Sequence, residues 1–328
     1  MKPTAVTKAL EICVRSKRAV FLWGAPGVGK SETVKALAES LNMELIDIRA
    51  VLLDPVDLRG LPTVVNGQAK WCPPSFLPTD PDSKGILFLD ELNAAPPLVQ
   101  AACFQLVLDR KVGEYTLPDG WVIIAAGNRE TDRGVTHRMA TPLANRFVHL
   151  NYETDLNDWV TWALNNGIQT ELIGFLRFRP NLLHDFDPKR DSKAFPTPRS
   201  WAFVSHILDC KPEPSIELDL IAGTVGEGAA TEFIGFLRIF RKLPNPDMIL
   251  MNPETAEMPT DPATLYALCG CLAKMATENT FPRLVSYFNR MPDEFSVLAV
   301  RDSIARNSAL VSTHAYIEWN SKHVDVVL

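Results

Sequence analysis

An α/β architecture is what this 328-residue sequence predicts: a parallel central sheet covered by helices, followed by an all-α region. Three observations carry that expectation. Short apolar runs alternate with helical stretches up to about residue 150. A glycine-rich loop joins the first run to the helix behind it. From about Tyr152 onward the apolar spacing is helical instead.

Residues 19–23 (AVFLW) form a continuous apolar run closed by Gly24, as expected of a strand buried on both faces. A helix follows over 30–41, with Val34, Leu37, Ala38 and Leu41 at helical spacing. Residues 44–49 (ELIDIR) read as a second strand, 85–89 (GILFL) as a third, 121–126 (WVIIAA) as a fourth and 147–150 as a fifth, with a helix over 98–108. Two insertions interrupt the alternation. Residues 61–72 carry Asn66-Gly67 at their middle, the turn chemistry of a small hairpin. Residues 111–121 carry Pro118-Asp119-Gly120 between two β-like runs, which predicts a second hairpin turning there and feeding the fourth strand.

Helices are expected over 156–165, 170–178, 199–208 and 231–241, a Pro-rich loop over 244–262, and helices again over 263–323. Domain boundaries follow: an αβα domain over 1–151, a helical domain over 152–243 and a helical extension over 244–328, packed with the helical domain.

Composition narrows the function class. Hydrophobic residues make up 46% and charged residues 22%, the balance of a globular protein that folds in water. No apolar run approaches the roughly 18–20 residues of a membrane span, and the first twenty residues lack a signal-peptide pattern. Six scattered cysteines, with Cys269-Gly-Cys271 the one close pair, look like reduced thiols of a cytoplasmic protein. The six histidines show no ligand spacing. A net charge of −6 and a pI near 5.6 argue against a strong, sequence-independent hold on nucleic acid. The GTVGEGAA stretch at 223–230 lacks a preceding strand and reads as a helix junction rather than a dinucleotide loop.

The densest chemical signal is Gly24-Ala25-Pro26-Gly27-Val28-Gly29-Lys30-Ser31, which fits G-x-x-x-x-G-K-[ST]. Glycines let the backbone curl around phosphate oxygens, and the helix opening at Lys30 directs its positive end at the same anion. Lys30 is expected to reach the β/γ-phosphates of ATP and Ser31 to hold Mg²⁺, with Glu32 beside them. Asp90 and Glu91 end an apolar strand, a costly place for charge unless a cation waits there. Asp90 is assigned to Mg²⁺ and Glu91 to activation of the attacking water. Asn128 ends the fourth strand, either to orient that water or simply to form a turn. Arg146 and Arg199 are the cations to single out for charge on the transferring phosphate. Thr197 is placed to cap a helix begun by Pro198.

The order of these motifs, phosphate loop, LFLDELN, AAGNRE, PLANRF and TPRSW, resembles that of the AAA+ superfamily ATPases, and within it the MoxR-like family of the helix-2-insert clade. The resemblance implies a P-loop NTPase αβα sandwich with an all-α lid, and Mg-dependent hydrolysis of ATP. Residues 24–31 would be Walker A, Asp90 and Glu91 Walker B, and Asn128 sensor 1. Arg146 would be the arginine finger acting on a neighbouring subunit, and Arg199 the sensor 2 arginine of the lid. Residues 53–72 would be the helix-2 insert and residues 110–121 the insert before sensor 1. The family often has Asp before the finger, where this chain has Asn145. Arg129, Arg133 and Arg138 are further candidates for a trans arginine.

The resemblance also implies a homo-oligomer, a hexameric ring, working in chaperone fashion on a protein partner. A von Willebrand factor A domain protein encoded separately is the partner type expected. The alternative is a nucleic-acid motor or loader, which would want clustered cations in the inserts. The 61–72 hairpin offers only Lys70, and the second sets Arg110 and Lys111 against Glu114 and Asp119. A nucleotide-gated scaffold is a third reading, and Glu91 with Arg146 speaks against it.

Overall fold

The protein was analysed as a computed structural model that describes residues 1–328 apart from 133–136, 138, 140, 191, 244 and 324–328. It divides into two compact units, one of Met1–Asp155 with Phe186–Asp191, the other of Leu156–Asp185 with Ser192–Leu328.

The first unit runs α1 (Pro3–Arg15), β1 (Val20–Trp23), α2 (Lys30–Ser40), β2 (Glu44–Arg49), α3 (Pro55–Arg59), β3 (Leu61–Val65), β4 (Gln68–Cys72), β5 (Lys84–Asp90), α4 (Pro97–Asp109), β6 (Lys111–Val112), β7 (Tyr115–Thr116), β8 (Gly120–Gly127), α5 (Thr141–Ala144) and β9 (Val148–Asn151). Five strands form one parallel sheet in the order β2-β5-β8-β1-β9. Its three inner strands are apolar throughout except for Lys84 and Asp90 at the two ends of β5, because both faces are covered. Alternate residues of each strand serve opposite cores. Phe21, Leu87, Leu89, Trp121, Ile123 and Ala125 join α4 residues such as Val99, Cys103 and Leu106 on one face. On the other, Val20, Leu22, Ile86, Phe88, Ile124 and Ala126 meet Val34, Leu37 and Ala38 of α2. Each such Val, Leu, Ile or Phe side chain contributes roughly 1.5–3 kcal/mol by leaving water.

Helix α1 was not expected. Val6, Leu10, Cys13 and Val14 lie one and two turns apart and are buried in the second core, so tertiary packing sustains a helix whose sequence signal is modest.

The first hairpin, β3 with β4, is antiparallel and turns at Asn66 (φ 53°) and Gly67 (φ 75°), as its turn residues predict. The second hairpin corrects the expectation. It pairs β6 with β7 and turns at Gly113-Glu114, before Pro118-Asp119-Gly120 is reached. Gly113 supplies the positive φ that a tight turn needs (56°). Residues 118–121 instead close on the Trp121 N–H donating to the Pro118 carbonyl at 3.0 Å, which leads the chain into β8.

The second unit is helical: α6 (Leu156–Asn165), α7 (Thr170–Phe178), α8 (Pro198–Asp209), α9 (Pro214–Val225), α10 (Glu227–Phe240), α11 (Pro246–Met251), α12 (Pro262–Lys274), α13 (Phe281–Phe288), α14 (Asp293–Arg306) and α15 (His314–Lys322). Gly226 (φ 85°) separates α9 from α10, so residues 223–230 are the expected helix junction. The Pro-rich stretch 244–262 holds the short helix α11, which the sequence reading missed. Pro246 occupies its first turn, where a missing N–H costs nothing, and Asn245 caps it. Helix α12 serves two cores, giving Ala263 and Ala267 to one cluster and Leu265, Leu268 and Leu272 to the other. Arg177 of α7 and Asp302 of α14, both largely buried, form a two-bonded ion pair. Among the described residues, no helix is long and apolar enough to cross a membrane.

Candidate functional site

All strands of a parallel sheet end on one edge, and β5, β8 and β1 are neighbours, so the residues that follow them converge. Trp23 is in register with Gly127, and Leu89 with Ala125. The loop Gly24–Ser31 therefore starts beside Asn128, with Asp90 one strand further along.

Gly27 (φ 75°) and Gly29 (φ 104°) hold the left-handed conformations that curl the loop, and Gly29 opens α2 without any side-chain cap. The first-turn N–H groups and the helix dipole thus form a site suited to an anion. Lys30 is buried. Its Nζ donates to the carbonyl oxygens of Gly24 at 2.7 Å and Ala25 at 3.1 Å, and to Asn128 Oδ1 at 3.2 Å. Ser31 Oγ donates to Asp90 Oδ2 at 2.9 Å, and the other carboxylate oxygen accepts from the Glu91 N–H at 2.9 Å. Lys30 with Asn128, and Ser31 with Asp90, all picked from the sequence separately, are thus two hydrogen-bonded pairs joined by the Lys30–Ser31 peptide.

Glu91 is exposed and sits at φ 56°, a conformation that costs a non-glycine residue roughly 1–2 kcal/mol. Glu32 is exposed on the first turn of α2. Beside Asp90, the Asp47 carboxyl is held above the ordinary carboxylate range, first by desolvation and then by the Asp90 charge, with Arg49 opposing.

Sequence reasoning did not single out Asn93. It is buried, and its Nδ2 donates to the Asn128 carbonyl at 2.7 Å, fixing the turn that presents the Asn128 side chain. A Cβ on Gly127 would lie 2.0 Å from Asn93 Oδ1, so a glycine is required there. Tyr152 and His149 were also passed over. The Trp23 indole N–H donates to His149 Nδ1 at 2.8 Å, so the opposite ring nitrogen carries the proton and donates to the Ala144 carbonyl at 2.8 Å. Nothing in local sequence marks these residues, because their partners come from distant elements.

The arginines separate. Arg129 is engaged within its own unit: its guanidinium donates to the Tyr152 carbonyl at 3.1 Å and its backbone N–H to Asp132 Oδ2 at 3.0 Å. Arg146 is exposed at the end of the α5 turn, its N–H bonded to the Leu143 carbonyl at 3.1 Å. Arg133 and Arg138 lie outside the described residues. Arg199 belongs to the second unit, where it is exposed in the first turn of α8. Thr197 caps that helix, its side chain accepting from the Ser200 N–H at 3.0 Å.

Residues 19–149 match the sequence model of the ATPase family associated with various cellular activities (AAA). A 174-residue stretch is 28% identical to midasin of Giardia intestinalis; it is 50% of this chain and 4% of midasin, so the chain spans a small fraction of that relative. Among solved structures, the chain is similar to NtrX of Brucella abortus in complex with ATP, at 13% identity over 99% of this chain and 68% of that one, with a TM-score of 0.43. It is also similar to a point mutant of RuvB from Thermotoga maritima, at 15% identity over 82% and 81% of the two chains, with a TM-score of 0.41.

Proposed function

We propose that this chain, which carries an AAA-type ATPase domain over residues 19–149, hydrolyses Mg·ATP in a homo-oligomeric ring of the MoxR-like kind and uses the cycle to remodel a protein partner. The observation that carries the reading is the two adjacent hydrogen-bonded pairs, Lys30 with Asn128 and Ser31 with Asp90, at the ends of β1, β5 and β8. An ammonium, a hydroxyl and a carboxylate gathered where a glycine loop opens a helix suit a nucleoside triphosphate.

Ser31 Oγ and Asp90 Oδ2 lie 2.9 Å apart and are hard oxygen donors, the set a magnesium ion takes when substrate phosphates complete its shell. The ion would supply neutralisation of phosphate charge. Lys30 would exchange its carbonyl partners for phosphate oxygens, and Asn128 Oδ1 would be freed to orient a water. Glu91, exposed and presented by its left-handed backbone, is placed to take a proton from that water.

Arg146 is assigned to the ATP of a neighbouring subunit because it is exposed while Arg129 is engaged at home. Arg199 is assigned to the γ-phosphate of its own subunit by resemblance. A protein client rather than nucleic acid is favoured by the first hairpin, whose exposed side chains include Leu61, Val64 and Trp71 and whose one cation is Lys70. A separate von Willebrand factor A domain protein is the partner type that the family resemblance suggests.

Steady-state ATPase activity measured against protein concentration, for the wild type and Arg146→Ala, tests this. Activity per subunit should rise with concentration and fall by roughly 10³-fold or more in the variant. Concentration-independent activity indifferent to Arg146 would overturn the ring mechanism and leave a self-contained ATPase.

A further inference from the structure

Tyr152 is the residue where three parts of the first unit meet: the end of β1, the glycine loop and the segment after Asn128. Its side chain is 3% exposed and runs beneath the glycine loop, touching both ends of it. At the start of the loop, a Cβ on Gly24 would lie 3.2 Å from both Tyr152 Cβ and its carbonyl oxygen. At the far end, the Tyr152 hydroxyl is 2.9 Å from Thr33 Oγ1 and 3.6 Å from where a Cβ on Gly29 would be. Thr33 Oγ1 already donates its proton to the Gly29 carbonyl at 3.0 Å. The Tyr152 O–H therefore donates to Thr33, forming a relay of two bonds into the loop. The backbone of Tyr152 closes the arrangement. Its N–H donates to the Trp23 carbonyl at 2.6 Å, and its carbonyl accepts from Arg129 Nη2 at 3.1 Å.

Three residues further on, the chain leaves this unit for the second, which begins at Leu156. The Lys30 ammonium bonds the carbonyls of Gly24 and Ala25 and the side chain of Asn128. A phosphate that draws Lys30 away releases the loop at Gly24 and the turn at Asn128 together. Gly24 packs on Tyr152, and Arg129, the residue after Asn128, bonds it. Both released segments therefore act on Tyr152 from different sides.

We infer that Tyr152 is a positioning residue that transmits phosphate-loop occupancy to the connector at residues 153–155. The inference rests on the reading of residues 24–31 as a nucleotide site. It goes beyond that reading by naming the path by which occupancy leaves the site. The Tyr152–Thr33 bond is the separable part of the path, since Tyr152→Phe keeps the Cβ and carbonyl that meet Gly24 and removes only the hydroxyl.

The test uses the full chain with Mg²⁺ and either ADP or a non-hydrolysable ATP analogue. Binding is read with a fluorescent nucleotide, and backbone amide exchange is read over peptides containing residues 153–158. In the wild type, exchange over this segment should change about three- to tenfold on binding, the scale of one hydrogen bond. In Tyr152→Phe and in Thr33→Val that change should shrink at equal nucleotide occupancy, leaving the part carried by Gly24 and Arg129. The double variant should add nothing further, as expected of two groups in one bond. A merely structural role would lower the melting temperature of the variants yet leave the exchange response intact, and that result overturns the inference. So does a wild type that binds nucleotide with no response at 153–158, in which case the site reading still stands. A wild type that binds no nucleotide overturns both.

Discussion

Ser31 and Asp90 are 59 residues apart in the chain, yet the Ser31 hydroxyl donates to the Asp90 carboxylate at 2.9 Å. The contact exists because β1 and β5 flank β8 in one parallel sheet, so the turn after β1 and the tip of β5 share an edge. The two oxygens are preassembled for a hard cation, and the hydroxyl holds the carboxylate in place before any ion arrives.

Asp90→Asn keeps an oxygen in that bond and removes the charge. Nucleotide binding in the absence of metal should be little changed, whereas the Mg²⁺ concentration giving half-maximal ATPase activity should rise roughly 10–100-fold. A Mg²⁺ titration of steady-state turnover reads this directly. An unchanged half-point would remove Asp90 from the metal site.

Glu91→Gln leaves size and polarity while abolishing the base. Turnover should fall roughly 10²–10⁴-fold with ATP still bound. Single-turnover retention of radiolabelled ATP, followed after dilution into unlabelled nucleotide, distinguishes loss of chemistry from loss of binding. If the variant turns over normally, another group activates the water.

Gly127→Ala drives a methyl to 2.0 Å from Asn93 Oδ1 and 2.6 Å from its Cγ. Overpacking of this kind costs about 1–3 kcal/mol, which urea unfolding would show as a lower midpoint. Because Asn93 holds the Asn128 carbonyl, ATPase activity should drop further than stability alone explains. Normal activity at reduced stability would mean that the Asn128 turn does not depend on Asn93.

Arg177→Met strips the partner from a carboxylate that is itself 6% exposed. Removing one member of a buried pair typically costs about 3–5 kcal/mol, while replacing both with apolar groups of similar size costs far less. Arg177→Met should therefore destabilise the second unit strongly, and Arg177→Met with Asp302→Leu should recover most of that loss in thermal unfolding. A double variant no better than the single would show that the pair is needed for more than mutual neutralisation.

The strands of the sheet were legible because both their faces are covered, which demands unbroken apolar runs such as 19–23 and 121–126. The first hairpin was legible because Asn66-Gly67 admits few alternatives. The second was misplaced because Pro118-Asp119-Gly120 carries a stronger turn signal than Gly113-Glu114, where the chain reverses. Helices α1 and α11 were missed for another reason. Both draw stability from residues far away in the chain; α11 is too short to show a period, and the helical spacing of Val6, Leu10, Cys13 and Val14 in α1 was passed over.

By itself the sequence determined the chemistry on offer: a loop that only glycines can curl, a lysine and serine at its end, and acids at the tip of an apolar strand. Those are local demands of backbone sterics and charge, and they leave marks in consecutive residues. Tertiary structure alone decided which groups meet. It put Asn93 behind Asn128, engaged Arg129 on the Tyr152 carbonyl while leaving Arg146 exposed, and ran Tyr152 beneath the glycine loop. The physical reason is that these contacts depend on strand order and register, which set distances between residues far apart in the chain, and no local pattern encodes them.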